Sequence, residues 1–284
     1  MKKTLFYLPF YLLALIPKRG LHALMDMLFF ILYPILSYRK KIVSSNLRRA
    51  FPQATEVEIR RIQRAFYRRL LKNFEDLISQ LTCSKEQIKE TILIENAEIF
   101  HDLVLLNKPI IISTAHFGNW EKAFSILPVF LKNHVCLVFT PLKNNYFSEL
   151  LIKIRTKFGL ELVPRYQFKD HLKKHLNQTF IYILPADQRP VNSSKSYWSS
   201  FLGINTPLLF GVEKYATQYN LPVIFMEITD SGNKCKIRFS LISQNSEETE
   251  YGYITKKYTR LLEKHICENP SQWLWSHRRW KDLE

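Results

Sequence analysis

Pro109-Ile110-Ile111-Ile112-Ser113-Thr114-Ala115, followed at once by His116-Phe117-Gly118-Asn119-Trp120-Glu121, is the stretch on which the reading of this chain turns. The first seven residues are uncharged and rich in β-branched side chains, the composition of a short buried strand. Lys122 to Leu127 has a helix-like composition, limited by Pro128. A histidine at a strand's carboxyl end, followed by a glycine, an asparagine and then an acid, has the build of an active site. Neutral imidazole accepts a proton near pH 7, and a carboxylate fixes its tautomer and stabilises its charged form. Gly118 lets the backbone turn sharply and approach a ligand closely. N–H groups where the next helix begins are placed to face a developing oxyanion. The alternative is a core histidine satisfied by a backbone carbonyl.

Spacing by itself does not separate the two. With 8 His and 25 acidic residues in the chain, a His-x4-acid pair arises by chance about 0.7 times. A second instance runs from His277 to Asp282, among Arg278, Arg279, Trp280 and Lys281, with no strand before it and no glycine. Context therefore disfavours His277 and leaves His116 open between acid–base chemistry and a core role.

The 284 residues are 46% hydrophobic and 23% charged, which is ordinary for a folded chain with a substantial core. The charge balance is not ordinary: +16, from 41 basic against 25 acidic residues. Such an excess calls for a polyanionic partner, whether nucleic acid, an anionic membrane surface or an acidic protein. The aromatic content of 14% leans toward a membrane interface. No zinc-finger spacing, helix-turn-helix or RNA-binding strand signature is present, so no nucleic acid is expected. Cysteines 83, 136, 235 and 267 form no Cys-x-x-Cys pair and read as reduced core residues, with no metal site and no disulfide frame.

At the amino terminus, Leu5 to Ile16 is an apolar run of about a dozen residues, short of the ~20 a spanning helix needs. Leu21 to Tyr38 is apolar again but broken by His22, Asp26 and Pro34. Residues 1–40 are expected to form a hydrophobic hairpin or interfacial membrane anchor, with a single tilted span as the alternative. Lys2, Lys3, Lys18, Arg19, Arg39, Lys40 and Lys41 flank the runs and favour the cytoplasmic side of a membrane. Residues 41–284 are read as one domain.

Thr55-x-x-Glu58 is a capping box that opens a long helix reaching about Leu81. Its Arg60, Arg61, Arg64, Arg68 and Arg69 make either a solvated face or a surface for anionic headgroups. Strands are expected at 109–115, 135–140, 180–184, 222–228 and 234–241. Helices are expected at about 120–132, 145–158, 168–177, 208–219 and 247–268. This alternation predicts an α/β fold: a mostly parallel mixed sheet covered by helices on both faces, with an antiparallel pair near the carboxyl end. Asp187 and Gln188 follow a strand in the position where such sheets bind ligands, the alternative being a turn with a capping Asp. Arg155 and Lys157, taken alone, read as solvated.

Together these segments resemble the bacterial lipid A biosynthesis acyltransferases, the late lauroyl/myristoyl transferases. The resemblance rests on the amino-terminal segment, Asn46-Leu47-Arg48-Arg49-Ala50-Phe51-Pro52, and His116 to Glu121. It continues through Arg155 to Gly159, Asp187-Gln188, Phe201-Leu202-Gly203, Thr206-Pro207, and Trp273 to Trp280. It implies a glycerolipid-acyltransferase-like fold at the cytoplasmic face of the bacterial inner membrane. It also implies transfer of a fatty acyl chain from a thioester to a hydroxyl of an anionic lipid A precursor. The thioester would be carried by acyl carrier protein or coenzyme A, with no cofactor and no acyl-enzyme. In that scheme His116 is the general base, Glu121 orients its ring, and backbone N–H groups near Gly118 and Asn119 hold the oxyanion. Arg155 binds a phosphate or helps the oxyanion, and Asp187 and Gln188 shape the site. His277 is structural, or contacts phosphate with Arg278 and Arg279. The rival readings are an acyltransferase for a lysophospholipid or aminolipid, and a non-catalytic basic module that binds membrane or nucleic acid.

Overall fold

All five residues of Ile110–Thr114 are buried, a condition a strand meets when its sheet is covered on both faces. The computed structural model, which describes residues 2–35, 38–142, 144–192, 196–232 and 234–281, contains that sheet. In chain order the strands are β1 (Ile92–Glu95), β2 (Ile110–Thr114), β3 (His134–Phe139), β4 (Glu161–Pro164), β5 (Phe180–Pro185), β6 (Tyr197–Phe201), β7 (Ile204–Leu208), β8 (Val223–Ser231) and β9 (Lys234–Ser243). Strands β6 and β7 form a separate hairpin; the others make one sheet in the order β1-β9-β8-β2-β5-β3-β4. Within that sheet β8 and β9 pair antiparallel and the other pairs are parallel. The helices are α1 (Lys2–Leu15), α2 (Lys18–Ile35), α3 (Lys40–Ala50), α4 (Glu56–Ser79), α5 (Lys85–Glu90), α6 (Ile99–Val104), α7 (Trp120–Leu131), α8 (Asn145–Thr156), α9 (Phe168–Lys174), α10 (Gly211–Tyr219) and α11 (Tyr253–Glu268).

Strand alternation sorts the core into two layers. Ile110, Ile112, Val135, Leu137, Ile181 and Ile183 pack with residues of α5, α6 and α7 on one face. Ile111, Cys136, Tyr182, Val223 and Phe225 pack with α4, α9, α10 and α11 on the other. The expected sheet, covered on both sides, is therefore present. Strands β1 and β4 and the β6–β7 hairpin are additions to the sequence reading. Helix α10 begins at Gly211, because the preceding residues through Leu208 are strand. Helix α11 begins at Tyr253, after Gly252 with φ +87°, and the expected start at 247 falls in a single 3-10 turn. Asp282, half of the second His-x4-acid pair, lies outside the described residues.

The amino-terminal segment folds against the domain and is not set apart from it. Leu21, Met25 and Phe29 of α2 are buried, while Tyr7 and Phe10 of α1 pack on Leu77, Leu150, Leu151 and Ile154. Among the described residues no helix is long and apolar enough to cross a membrane, so the expected anchor has no support as a span. Leu5, Leu8, Leu12 and Leu15 remain exposed on α1, with Met27, Phe30 and Ile31 on α2. The first four recur at helical spacing and form one apolar stripe.

Helix α4 carries the expected capping box: Thr55 Oγ1 accepts from the Glu58 N–H, and the Glu58 carboxylate accepts from the Thr55 N–H at 2.8 Å. Thr55→Ala should lower unfolding stability by about 1 kcal/mol, read as an earlier midpoint at unchanged slope in urea.

Candidate active site

The register of two parallel strands builds the site. Thr114 of β2 lies opposite Pro185 of β5, so the residues two positions further on, His116 and Asp187, emerge side by side at the sheet's carboxyl edge. His116 Nδ1 lies 2.8 Å from Asp187 Oδ1, and the His116 backbone N–H donates to Oδ2 at 3.1 Å. The Trp273 indole N–H donates to the same Oδ2 at 3.0 Å. An ionised carboxylate only accepts. This assigns the ring proton to Nδ1 and leaves the Nε2 lone pair available.

The ring lines a cavity of about 950 Å³ at the ends of β3 and β5, between α8 and α10. Leu137, Val138, Leu151, Phe168, Leu184, Leu208 and Val212 make apolar wall; His116, Arg155, Arg165, Gln188 and Lys214 bring polar groups to it. None of the four cysteines is among the lining residues.

Burial disfavours the charged ring, but the charge and hydrogen bond of Asp187 outweigh it. Glu121 adds to this and Arg155 opposes it, so the His116 pKa is raised above the ordinary imidazole value. Burial likewise opposes the Asp187 carboxylate, yet His116 and Trp273 hold its pKa below the usual range.

The acid that orients the ring is thus Asp187, and the expected role of Glu121 is corrected. Glu121 stands in the first turn of α7 and turns toward α8. There Arg155 donates through Nε at 2.7 Å and through Nη2 at 2.6 Å, a bidentate pair with both side chains mostly buried. Burial would raise the Glu121 pKa, but Arg155 brings it down, and Glu121 in turn raises that of Arg155. Glu121 acts on His116 through space, by charge.

The oxyanion role expected of the Gly118 N–H is also corrected. The Gly118 N–H donates to the Gln272 carbonyl at 2.9 Å. Gly118 has φ +53°, and a Cβ there would stand 3.1 Å from the Ile228 carbonyl oxygen, so close packing explains the glycine. The Asn119 side chain caps α7 by accepting from the Lys122 N–H, and it donates to Asp76 at 2.6 Å. Asp76 also pairs with Lys122 at 2.9 Å, both side chains 7% exposed. Asn73 donates to the Gly118 carbonyl at 2.7 Å. The site loop is therefore bolted to the inner face of α4.

Gln188 Nε2 lies 3.4 Å from His116 Nε2 and 3.5 Å from Nδ1. Near-equal distances to both nitrogens place the amide over the ring face, not in its plane. His277 and Arg279 sit among structural contacts. Burial takes the His277 pKa down to about 4 and that of Arg279 down to about 10. Arg279 is 1% exposed, donates to the Pro207 carbonyl at 2.9 Å and lies over Phe201. Lys157, expected to be solvated, donates to the carbonyls of Gln80, Leu81 and Cys83 just past the end of α4. Sequence reasoning assigned no role to Trp273, Asn73 or Asp76. The aromatic closing block was the one visible signal for Trp273.

The sequence profile of the bacterial lipid A biosynthesis acyltransferase family matches residues 4–282 of the chain. No curated protein matches it.

Asp76→Ala would leave Lys122 buried without its partner and should cost about 3–5 kcal/mol of stability, measured by urea unfolding beside Thr55→Ala. The His116–Asp187 pair has a raised imidazole pKa and a lowered carboxylate pKa. The imidazole contribution is lost as pH rises through the folded His116 pKa; the carboxylate contribution is lost as pH falls through the folded Asp187 pKa. Their joint stabilisation should be fullest between about pH 3.9 and 6.5. NMR titration of the ring should show Asp187→Asn lowering its pKa.

Proposed function

The chain belongs to the bacterial lipid A biosynthesis acyltransferase family, and we propose that His116, oriented by Asp187, is the general base of its acyl transfer. The observation that carries this reading is the Nδ1–Asp187 bond with the ring at the wall of the cavity. The acceptor hydroxyl gives its proton to Nε2 as its oxygen attacks the carbonyl carbon of an acyl thioester. The tetrahedral intermediate collapses, the carbon–sulfur bond breaks, and the thiolate takes the proton back from the imidazolium. An ester and a free thiol result, with no acyl-enzyme. Gln188 and Arg155 are assigned to the developing oxyanion, the role the loop N–H of Gly118 does not fill. The pairing with Glu121 uses Nε and Nη2 of Arg155, and Nη1 takes no part in it.

The apolar wall suits a fatty acyl chain. Arg165 and Lys214 beside it suit the phosphates of a lipid A precursor as acceptor. The +16 balance suits an acidic acyl carrier protein as donor. For membrane attachment we assign the stripe Leu5, Leu8, Leu12 and Leu15, with Phe30 and Ile31, to an interfacial contact on the cytoplasmic side of the inner membrane. Arg68 lies over Phe29 and Phe30, and Arg64 over Phe29, giving that apolar face a cationic rim.

His116→Ala should reduce lipid A acylation by about 10²–10⁴-fold or more while the protein stays folded. Mass spectrometry of the lipid with and without the active chain reads this, and unchanged product would remove the mechanism. The acid limb of kcat/KM should lie above the ordinary imidazole pKa of about 6.5 and move to lower pH in Asp187→Asn. Leu8→Glu with Leu12→Glu should weaken sedimentation with phosphatidylglycerol vesicles and leave the unfolding midpoint unchanged. Undiminished vesicle binding would discard the interfacial contact.

A further inference from the structure

Away from His116, three parallel strands bring a second set of reactive side chains into one row. Cys136 of β3 lies opposite Glu161 of β4 and also opposite Tyr182 of β5. His171 of α9 lies across this row. Its Nε2 is 3.0 Å from Glu161 Oε1, its Nδ1 is 2.8 Å from the Tyr182 hydroxyl, and Cys136 Sγ is 3.4 Å from Glu161 Oε2. One ligand atom each from Cys136, Glu161 and His171 lies within 4.8 Å of the others.

We propose that Cys136, Glu161 and His171 bind a zinc ion, with water as the fourth ligand. A thiolate, an imidazole nitrogen and a carboxylate oxygen are the donors zinc takes. Tetrahedral bonds of zinc length set ligand atoms about 3.3–3.6 Å apart; one donor atom from each residue already lies within 4.8 Å of the others, with His171 beside one Glu161 oxygen and Cys136 beside the other, so a small closure onto one oxygen completes the set. His171 has the outer contact typical of a metal-bound histidine: Nδ1 meets the hydroxyl of Tyr182, which is fully buried, and this turns Nε2 toward the other two donors. Cys136 is fully buried, whereas the Glu161 and His171 side chains are 46% and 20% exposed, so an ion and its water have a way in. Thiolate and carboxylate together neutralise the ion, and binding releases the Cys136 proton to solvent. Spacing along the sequence hides this set, because its members come from two strands and a helix.

The consequence is mechanical. Phe168, the first residue of α9, packs edge-on against Tyr182 at 5.3 Å and lines the cavity. An ion joining β3, β4 and α9 would hold that wall from beneath. The site takes no part in the acyl transfer proposed above, and it stands or falls separately.

The test is cobalt titration of the full chain after chelator treatment. One equivalent should bind with tetrahedral d–d bands and a sulfur-to-cobalt charge-transfer band, displaced by zinc, and zinc should raise Tm. Cys136→Ser should abolish the sulfur band, and His171→Ala and Glu161→Gln should each weaken binding at least tenfold. Cys267→Ser and His116→Ala should bind as the unaltered chain does. Absence of the sulfur band, its persistence in Cys136→Ser, or a Tm unmoved by zinc would overturn the proposal and leave a hydrogen-bonded cluster alone. Should Cys136→Ser not fold, the His171→Ala and Glu161→Gln variants decide in its place: undiminished cobalt affinity in either overturns it.

Discussion

The Asp187 carboxylate, its side chain only 2% exposed, is the constraint around which the site is arranged. A buried carboxylate is costly unless donors and a compensating charge surround it. Asp187 has three donors: the His116 ring, the His116 backbone N–H and the Trp273 indole. Each comes from a different demand on the chain. The register of β2 against β5 brings the histidine, the turn after β2 aims its N–H, and the segment after α11 delivers the tryptophan. That segment is held in turn by α3, where Asn46 donates to the carbonyls of Trp275 and His277. Parts remote in sequence thus meet at one carboxylate.

The same economy explains the loop between His116 and α7. Its glycine packs against backbone, its asparagine caps a helix, and Asp76 joins that asparagine to Lys122. A loop fixed at this many points holds the ring at a constant height above the cavity, which positioning for proton transfer demands. The long helix α4 therefore has two unlike faces. Arg60, Arg61, Arg64 and Arg68 are exposed, and Asn73 and Asp76 are buried against the site.

The sheet was legible because its strands are short runs of β-branched residues between helical stretches, and the two periods differ. His116 was legible because it stands where such a strand ends. Its partner was misread because nearness in sequence was taken for nearness in space. Glu121 follows the histidine by five residues, but by then the chain has entered α7 and the side chain projects toward α8 and Arg155. Asp187, seventy-one residues on, is the true neighbour through strand register, which one sequence does not display. Helices α1 and α2 were legible as apolar runs, but their packing against the domain was not. Hydrophobic runs announce burial without saying against what, and Tyr7 and Phe10 find Leu150, Leu151 and Ile154. The β6–β7 hairpin stayed hidden because its alternation is carried by Ser199, Ser200, Asn205 and Pro207, which a hydrophobic pattern does not register.

The displaced acid keeps a part in the electrostatics. Asp187 and Glu121 are both held ionised, one by the imidazole and the other by a guanidinium. With the ring neutral, the four groups sum to one negative charge; with the ring protonated they sum to zero. In a poorly solvated pocket the second state is favoured, which is the physical source of the raised His116 pKa. The same sum applies during reaction. In the proposed acyl transfer, a proton drawn from a hydroxyl onto Nε2 would neutralise the protein side of the site while negative charge builds on the substrate beside Arg155. Pairing the second carboxylate to an arginine lets it strengthen the base without competing for the proton, a division that two carboxylates sharing one histidine would not achieve.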